Sequence, residues 1–187
     1  MTAVFLTHLQ TTTADGLDRA RGAACTAPSI RIWGPPGTRK SMLQIPGDQD
    51  LQDWQRRPFT VIDVQEGVVS ETGNVVVAAI ETAPSTLAYR VGFEDRSVLI
   101  ASDVSYSDHL VARSAGLDIV VFRHTDLTET IRLLQHIKPR LAVLSPDGKP
   151  VTVAQIREHY AGAIQLFSAG AHRIHVLDSL ALDNDIK

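Results

Sequence analysis

The order of apolar and polar positions predicts short strands separated first by turns and later by helices. Ala3–Leu6 is a brief apolar run, Asp15–Ala24 has helical spacing, and Ser29–Trp33 reads as a strand that stops at Gly34-Pro35-Pro36-Gly37. The chain therefore opens β, α, β. Gly47–Arg57 is polar and reads as an exposed loop or short helix. Beyond it, Phe59–Val64, Asn74–Ile80, Leu87–Phe93 and Ser97–Ala101 read as strands, the last two joined at Glu94-Asp95-Arg96 as a tight antiparallel hairpin. From Ser107 the pattern changes to helix (Ser107–Ala115), strand (Asp118–Phe122), helix (Leu127–Ile137), strand (Leu141–Leu144) and helix (Val153–Tyr160). Ala163–Phe167 and Arg173–Leu177 close the chain as strands. Strands alternating with helices imply a sheet covered by helices, and the antiparallel block makes the expected architecture a mixed α/β layered domain. No repeat or linker divides residues 1–187, so a single domain is expected.

Composition narrows the classes. Of 187 residues, 44% are apolar and 21% charged, which marks a globular chain and excludes disorder, collagen and coiled coil. Lys and Arg number 18 against 21 Asp and Glu, for a net charge of −3 with no block of like charges, so nothing supports a nucleic-acid partner. The single Cys25 makes neither an internal disulfide nor a cysteine-based zinc site, and fits a reducing compartment. No apolar run approaches the ~20 residues that span a bilayer, and Met1–Leu6 is too short and uncharged for a signal peptide. A cytoplasmic protein without a membrane segment is expected.

Two segments compete for the chemistry. Gly34-Pro35-Pro36-Gly37-Thr38-Arg39-Lys40-Ser41 follows a strand and approximates the phosphate-cradling G-x-x-x-x-G-K-[ST], with Arg39 at the second glycine. A Cβ and a long side chain there obstruct the close approach of backbone N–H groups to phosphate, so the segment reads as a turn into a helix starting near Thr38. The second segment is Phe5-Leu6-Thr7-His8-Leu9-Gln10-Thr11-Thr12-Thr13-Ala14-Asp15-Gly16-Leu17, a strand running into a polar loop and then a helix.

That second segment is similar to the T-H-x-H-x-D-H-x-x-G-L signature of the metallo-β-lactamase superfamily. Other segments resemble its ribonuclease Z and arylsulfatase-like branch in the same order. Ile32-Trp33-Gly34-Pro35-Pro36-Gly37-Thr38 resembles I-Y-G-P-P-G-T, and Leu87-Ala88-Tyr89-Arg90-Val91 resembles the A-Y-R hairpin. Ala101-Ser102-Asp103-Val104-Ser105-Tyr106-Ser107-Asp108-His109-Leu110-Val111 resembles S-G-D-T-x-Y-S-D-N-L-V, and Tyr160-Ala161-Gly162 resembles the closing Y-x-G. The resemblance implies an αββα sandwich. It also implies a loop that holds a pair of zinc ions through imidazole and carboxylate donors, and a metal-activated water that attacks an ester or phosphodiester.

Position by position, the ligands are mostly missing. His8 matches the first histidine and Asp103 the bridging aspartate. Gln10, Thr12, Thr13, Thr82 and Pro146 stand where the other five ligands belong, and Phe122-Arg123 stands where the branch commonly has H-E. Two ligands do not hold a tetrahedral zinc ion, so the zinc centre and its hydrolysis are expected to be absent, with no cofactor. The resembled fold has antiparallel strands before the signature loop, whereas here that strand starts at residue 3. A shortened sandwich is expected, with an open sheet edge that favours a homo-oligomer or a partner protein completing the sheet.

Among the remaining histidines, His136 and His159 lie near helix ends and read as structural. His172 and His175 fall on opposite faces of a strand and are unsuited to chelation. His109 lies close to Asp103 in sequence, and His124 follows a strand on the same edge. His8, Asp103, His109 and His124 are the candidates for metal-free acid/base chemistry. One of Thr11–Thr13 or Asp15 is expected to cap the following helix; Trp33 and Trp54 read as packing residues and Cys25 as inert. Three functions follow in order. The first is a degenerate scaffold used for binding, including of a small molecule, or for assembly. The second is a metal-independent hydrolase, cyclase or lyase. The third is an ester or phosphodiester hydrolase completed by a partner's ligands.

Overall fold

A computed structural model describes residues 2–9, 29–43, 59–102, 104–124, 126–146 and 152–166. Strands β1 (Thr2–Phe5), β2 (Ile30–Gly34) and β3 (Phe59–Asp63) form a three-stranded parallel sheet in the order β1-β2-β3. Alternation along β2 sends Ile30 and Ile32 to one face, where they pack with Val61, and Trp33 to the other. The sequence groups Phe59–Val64 with the antiparallel block, but this strand instead pairs in parallel with β2, from Ile30↔Phe59 to Gly34↔Asp63. Val61 on one face and Ile62 on the other give it apolar contacts both ways, as a strand covered on two sides requires.

The second sheet has seven strands in the order β10-β9-β8-β7-β6-β5-β4. An antiparallel meander comprises β4 (Gly67–Thr72), β5 (Val75–Ala83), β6 (Thr86–Phe93) and β7 (Arg96–Ser102). Its last turn is the expected tight hairpin, with Phe93 paired to Arg96 and Glu94 in the left-handed region at φ 52°. The parallel half adds β8 (Ile119–His124), β9 (Leu141–Pro146) and β10 (Ala163–Leu166). Helices α2 (Asp108–Arg113), α3 (Leu127–Ile137) and α4 (Val153–Arg157) connect them, preceded in chain order by α1 (Thr38–Leu43). Caps set the helix starts: Ser107 accepts from Leu110 N–H, Asp126 from Glu129 N–H, and Thr152 forms a reciprocal capping box with Gln155.

Two apolar layers hold the sheets. Leu99, Val120, Phe122, Ala142 and Leu144 pack beneath Leu110, Leu134, Ile137 and Ile156 of the helices. Between the sheets, Trp33 and Val64 meet Val77, Ala79, Leu87 and Tyr89, and Phe5 stacks on Trp33 at 4.9 Å. Arg173–Leu177, Asp15–Ala24 and Gly47–Arg57 lie outside the described residues.

The segment that approximates a phosphate loop binds a carboxylate of its own chain. Asp63 accepts from the backbone N–H of Gly37 at 3.2 Å and of Arg39 at 2.8 Å, while the Arg39 guanidinium donates to the Val61 carbonyl at 3.0 Å. The fully buried Thr38 donates its hydroxyl to Pro35 O at 2.6 Å, and a Cβ at Gly34 would collide with the Thr38 side chain. Gly34→Ala is therefore expected to destabilise the protein by about 1–3 kcal/mol through overpacking, read as a lower urea midpoint at an unchanged slope.

Candidate functional site

The chain leaving β1 is fixed by backbone groups before it reaches a functional side chain. Leu6 N–H donates to Trp33 O at 2.8 Å, Leu6 O accepts from the Tyr89 hydroxyl at 2.9 Å, and Thr7 O accepts from Leu87 N–H at 2.7 Å. Burial pushes the Tyr89 phenol well above its ordinary pKa, which keeps it a donor. These bonds tie Leu6 and Thr7 to β2 and β6 and set the position of His8.

His8 is 8% exposed. Its Nδ1 lies 2.9 Å from Thr7 Oγ1 and 3.1 Å from Ser102 Oγ, and the two hydroxyls are 2.7 Å apart. The three groups form a triangle at the carboxyl ends of β1 and β7, the side on which open α/β sheets place their ligands. His8 Nε2 is buried and has no hydrogen-bond partner among the described residues. Sequence reasoning identified His8 and missed both hydroxyls.

The other candidate positions divide. Asp103 directly follows Ser102 and, with Gln10, Thr12 and Thr13, lies outside the described residues. His124 ends β8 in register with Pro146 at the end of β9, so these two positions share the carboxyl edge with Ser102. Thr82 is half-buried, and its hydroxyl donates to Thr86 O at 3.4 Å. Among the described residues no group of three or more His, Cys, Asp or Glu could hold a metal ion.

His109 belongs to a different cluster. Its Nε2 lies 2.6 Å from Glu66 Oε2, Arg113 reaches Glu66 Oε1 at 2.8 Å, and Glu81 N–H donates to the same carboxylate at 3.3 Å. This cluster ties α2 to the start of β4 and is separate from the hydrogen bonds of His8. His136 and His159 are engaged in the packing of α3. His136 Nδ1–H donates to Arg132 O at 2.8 Å with its ring edge-on to Tyr106, and the His159 carbonyl accepts from Gln135 at 2.9 Å. Trp33 is buried packing, as expected, while Trp54, Cys25, His172 and His175 lie outside the described residues.

Desolvation pushes the Glu66 carboxyl up, but the His109 and Glu81 hydrogen bonds and the nearby His109 and Arg113 charges outweigh it, leaving the carboxyl below its ordinary range. A depressed folded-state pKa gives stability that is present above the unfolded value of about 4.3 and lost as pH falls through the folded value. Glu66→Gln is expected to cost less than about 1 kcal/mol at pH 7, because the pair is exposed, and to cost less as the medium is acidified through the folded value; urea midpoints along an acid series measure the difference.

No protein-family model and no curated protein matches the chain. Solved structures do. The metallo-β-lactamase fold protein YhfI from Bacillus subtilis aligns at 16% identity over 89% of this chain and 75% of that one, with a TM-score of 0.63. A diphosphatase of the PhnP family aligns at 16% identity over 89% and 68%, TM-score 0.63. The short form of human tRNase Z aligns at 13% identity over 89% and 76%, TM-score 0.61. Among the described residues no helix is long and apolar enough to cross a membrane. With two facing sheets, helices packed on the larger one and these structural likenesses, the chain has the metallo-β-lactamase fold.

Proposed function

We propose that this chain is a degenerate metallo-β-lactamase-fold protein that does not assemble a dinuclear zinc centre and uses the scaffold for binding or assembly. The donor set carries the reading. Of the seven positions that the resembled signature gives to ligands, only His8 and Asp103 bear an imidazole or carboxylate. Thr82 turns its hydroxyl to a backbone carbonyl, and proline at 146 has no donor atom in its side chain. Catalytic zinc sites use three protein donors at about 2.0–2.2 Å, so one imidazole and one carboxylate do not fit two zinc ions. No hydrolytic step through zinc is assigned.

Assembly with a second copy is supported by the apolar surface of the larger sheet. Ile100 lies opposite Tyr89 in the β6–β7 register, on the face turned toward the smaller sheet, yet it is 43% exposed, and Phe93 at the far end of β6 is 49% exposed. The outer edge of β1 pairs with no strand among the described residues. An exposed apolar sheet face and an open strand edge each suit association with a like surface.

Two measurements test this reading. Metal analysis of protein purified with added zinc is expected to find well under one equivalent per chain; two equivalents would overturn the degenerate site. Light scattering at about 10 µM is expected to give a dimer or larger species that Ile100→Lys dissociates; a wild-type monomer would remove the assembly role.

A further inference from the structure

Ser102 adds a hydroxyl that the resembled pattern does not contain. In Ala101-Ser102-Asp103 it falls at the glycine of S-G-D-T, and in the fold its Oγ lies 3.1 Å from Nδ1 of His8, the histidine that remains. The new hydroxyl thus lies beside the one histidine that the pattern retains. Thr7 Oγ1, 2.7 Å from Ser102 Oγ and 2.9 Å from Nδ1, completes the contact.

Proton counting favours one tautomer of His8. With the ring proton on Nε2, both hydroxyl protons are used inside the group, one on Nδ1 and one between the two oxygens, and the donor to Nδ1 is Ser102 or Thr7. The opposite tautomer puts a third proton into the triangle and leaves one hydroxyl proton without an acceptor there. In the first arrangement a hydroxyl points at the basic nitrogen of an imidazole, the relation of an activated nucleophile to its base. Ser102 is half-buried at the carboxyl end of β7, whereas His8 is almost fully enclosed. The nucleophile is therefore the more accessible of the two.

We propose that Ser102 is a nucleophile toward activated acyl esters, with His8 as its general base and Thr7 as a positioning residue; this rests on the metal-free reading of the site. Ser102 Oγ bonds to the ester carbonyl carbon as its proton passes to His8 Nδ1. The tetrahedral adduct collapses, the C–O bond to the leaving alcohol breaks, and the leaving oxygen takes the proton from Nδ1. Water then attacks the acyl-serine, gives one proton to Nδ1, and releases the acid as Ser102 Oγ recovers that proton. Ester and water become acid and alcohol, with no other reactant. The imidazolium formed in between has its Nε2–H buried without a hydrogen-bond partner among the described residues. The substrate class is esters with good leaving groups, such as aryl esters, whose departure asks least of the general acid.

The experiment uses the full chain in EDTA, with its zinc content measured on the same sample. A fluorophosphonate probe is expected to label one residue, Ser102, located by peptide mass spectrometry, and p-nitrophenyl acetate to be cleaved. Ser102→Ala and Ser102→Gly, the latter restoring the residue of the resembled pattern, are expected to abolish labelling while circular dichroism stays unchanged. His8→Gln is expected to slow labelling by ~100-fold and to remove its sigmoidal rise with pH. Thr7→Val is expected to slow it less and to displace the midpoint of that rise, which a change in packing alone would not do. Absence of an adduct at Ser102 in metal-free protein, or equal labelling of His8→Gln, overturns the assignment and leaves the metal-free reading intact. Bound zinc in the sample overturns both.

Discussion

Tyr89 joins the two sheets where the candidate site begins. Its ring packs at 5.2 Å from Phe5, which itself stacks on Trp33, and its hydroxyl donates to the carbonyl of Leu6 at the point where the chain leaves β1. The side chain is 2% exposed, so its apolar body fills the inter-sheet layer while its polar tip donates to a part-buried carbonyl, a bond worth about 0.5–1.5 kcal/mol. Leu87 N–H, two residues earlier on β6, takes the next carbonyl along, that of Thr7. The direction of His8 is thus set by sheet packing and backbone bonds, and these act whether or not an ion is bound.

A similar internal substitution holds the turn after β2. The N–H groups of Gly37 and Arg39 point at an anion, as they do in a phosphate loop, and the anion is Asp63 at the end of the neighbouring strand. Arg39, whose side chain is incompatible with a nucleotide cradle, is consumed by the Val61 carbonyl. At both places a polar group that could serve a ligand is satisfied by the chain itself. Among the described residues, the buried side-chain atoms without a hydrogen-bond partner are Nε2 of His8 and Oγ of Ser114, and the first lies in the triangle of Thr7, His8 and Ser102.

How far the sequence shows all this depends on how local each cause is. Helix α3 is legible to the residue, because Asp126 caps it and Ile131, Leu134 and Ile137 repeat at helical spacing. The hairpin at Glu94 and the parallel strands β8 and β9 are legible for the same reason. Strand β4 escapes notice because it is an edge strand whose pairing shifts register between Val68 and Ser70, with Val68 60% exposed. The sheet to which β3 belongs is a tertiary choice that alternation does not encode. In the site, His8 is visible through its motif, whereas Ser102 meets it across 94 residues and Glu66 meets His109 across 43. Hydroxyls and lone acids carry no periodic signal, so pairs of this kind appear only when the fold brings them together.

Removing metal ligands from such a fold has a physical logic of its own. A dinuclear site gathers several carboxylates and imidazoles whose mutual repulsion and desolvation are offset by the ions, which makes the stability of the loop depend on metal binding. Threonine and glutamine at positions 10, 12, 13 and 82 carry no charge to offset. Along the described part of the site, Thr82 closes on Thr86, Thr7 and Ser102 close on Nδ1 of His8, and the backbone closes on Tyr89 and Leu87. Among the described residues one ring nitrogen of the site remains without a partner, a desolvation cost of about 1–3 kcal/mol that is small beside the burial of Phe122, Leu99, Leu134 and Leu144 in the layer below. On the proposed metal-free reading, the donors around His8 are exchanged for hydroxyls, and the chemistry shifts from activating water on an ion to activating a hydroxyl on an imidazole.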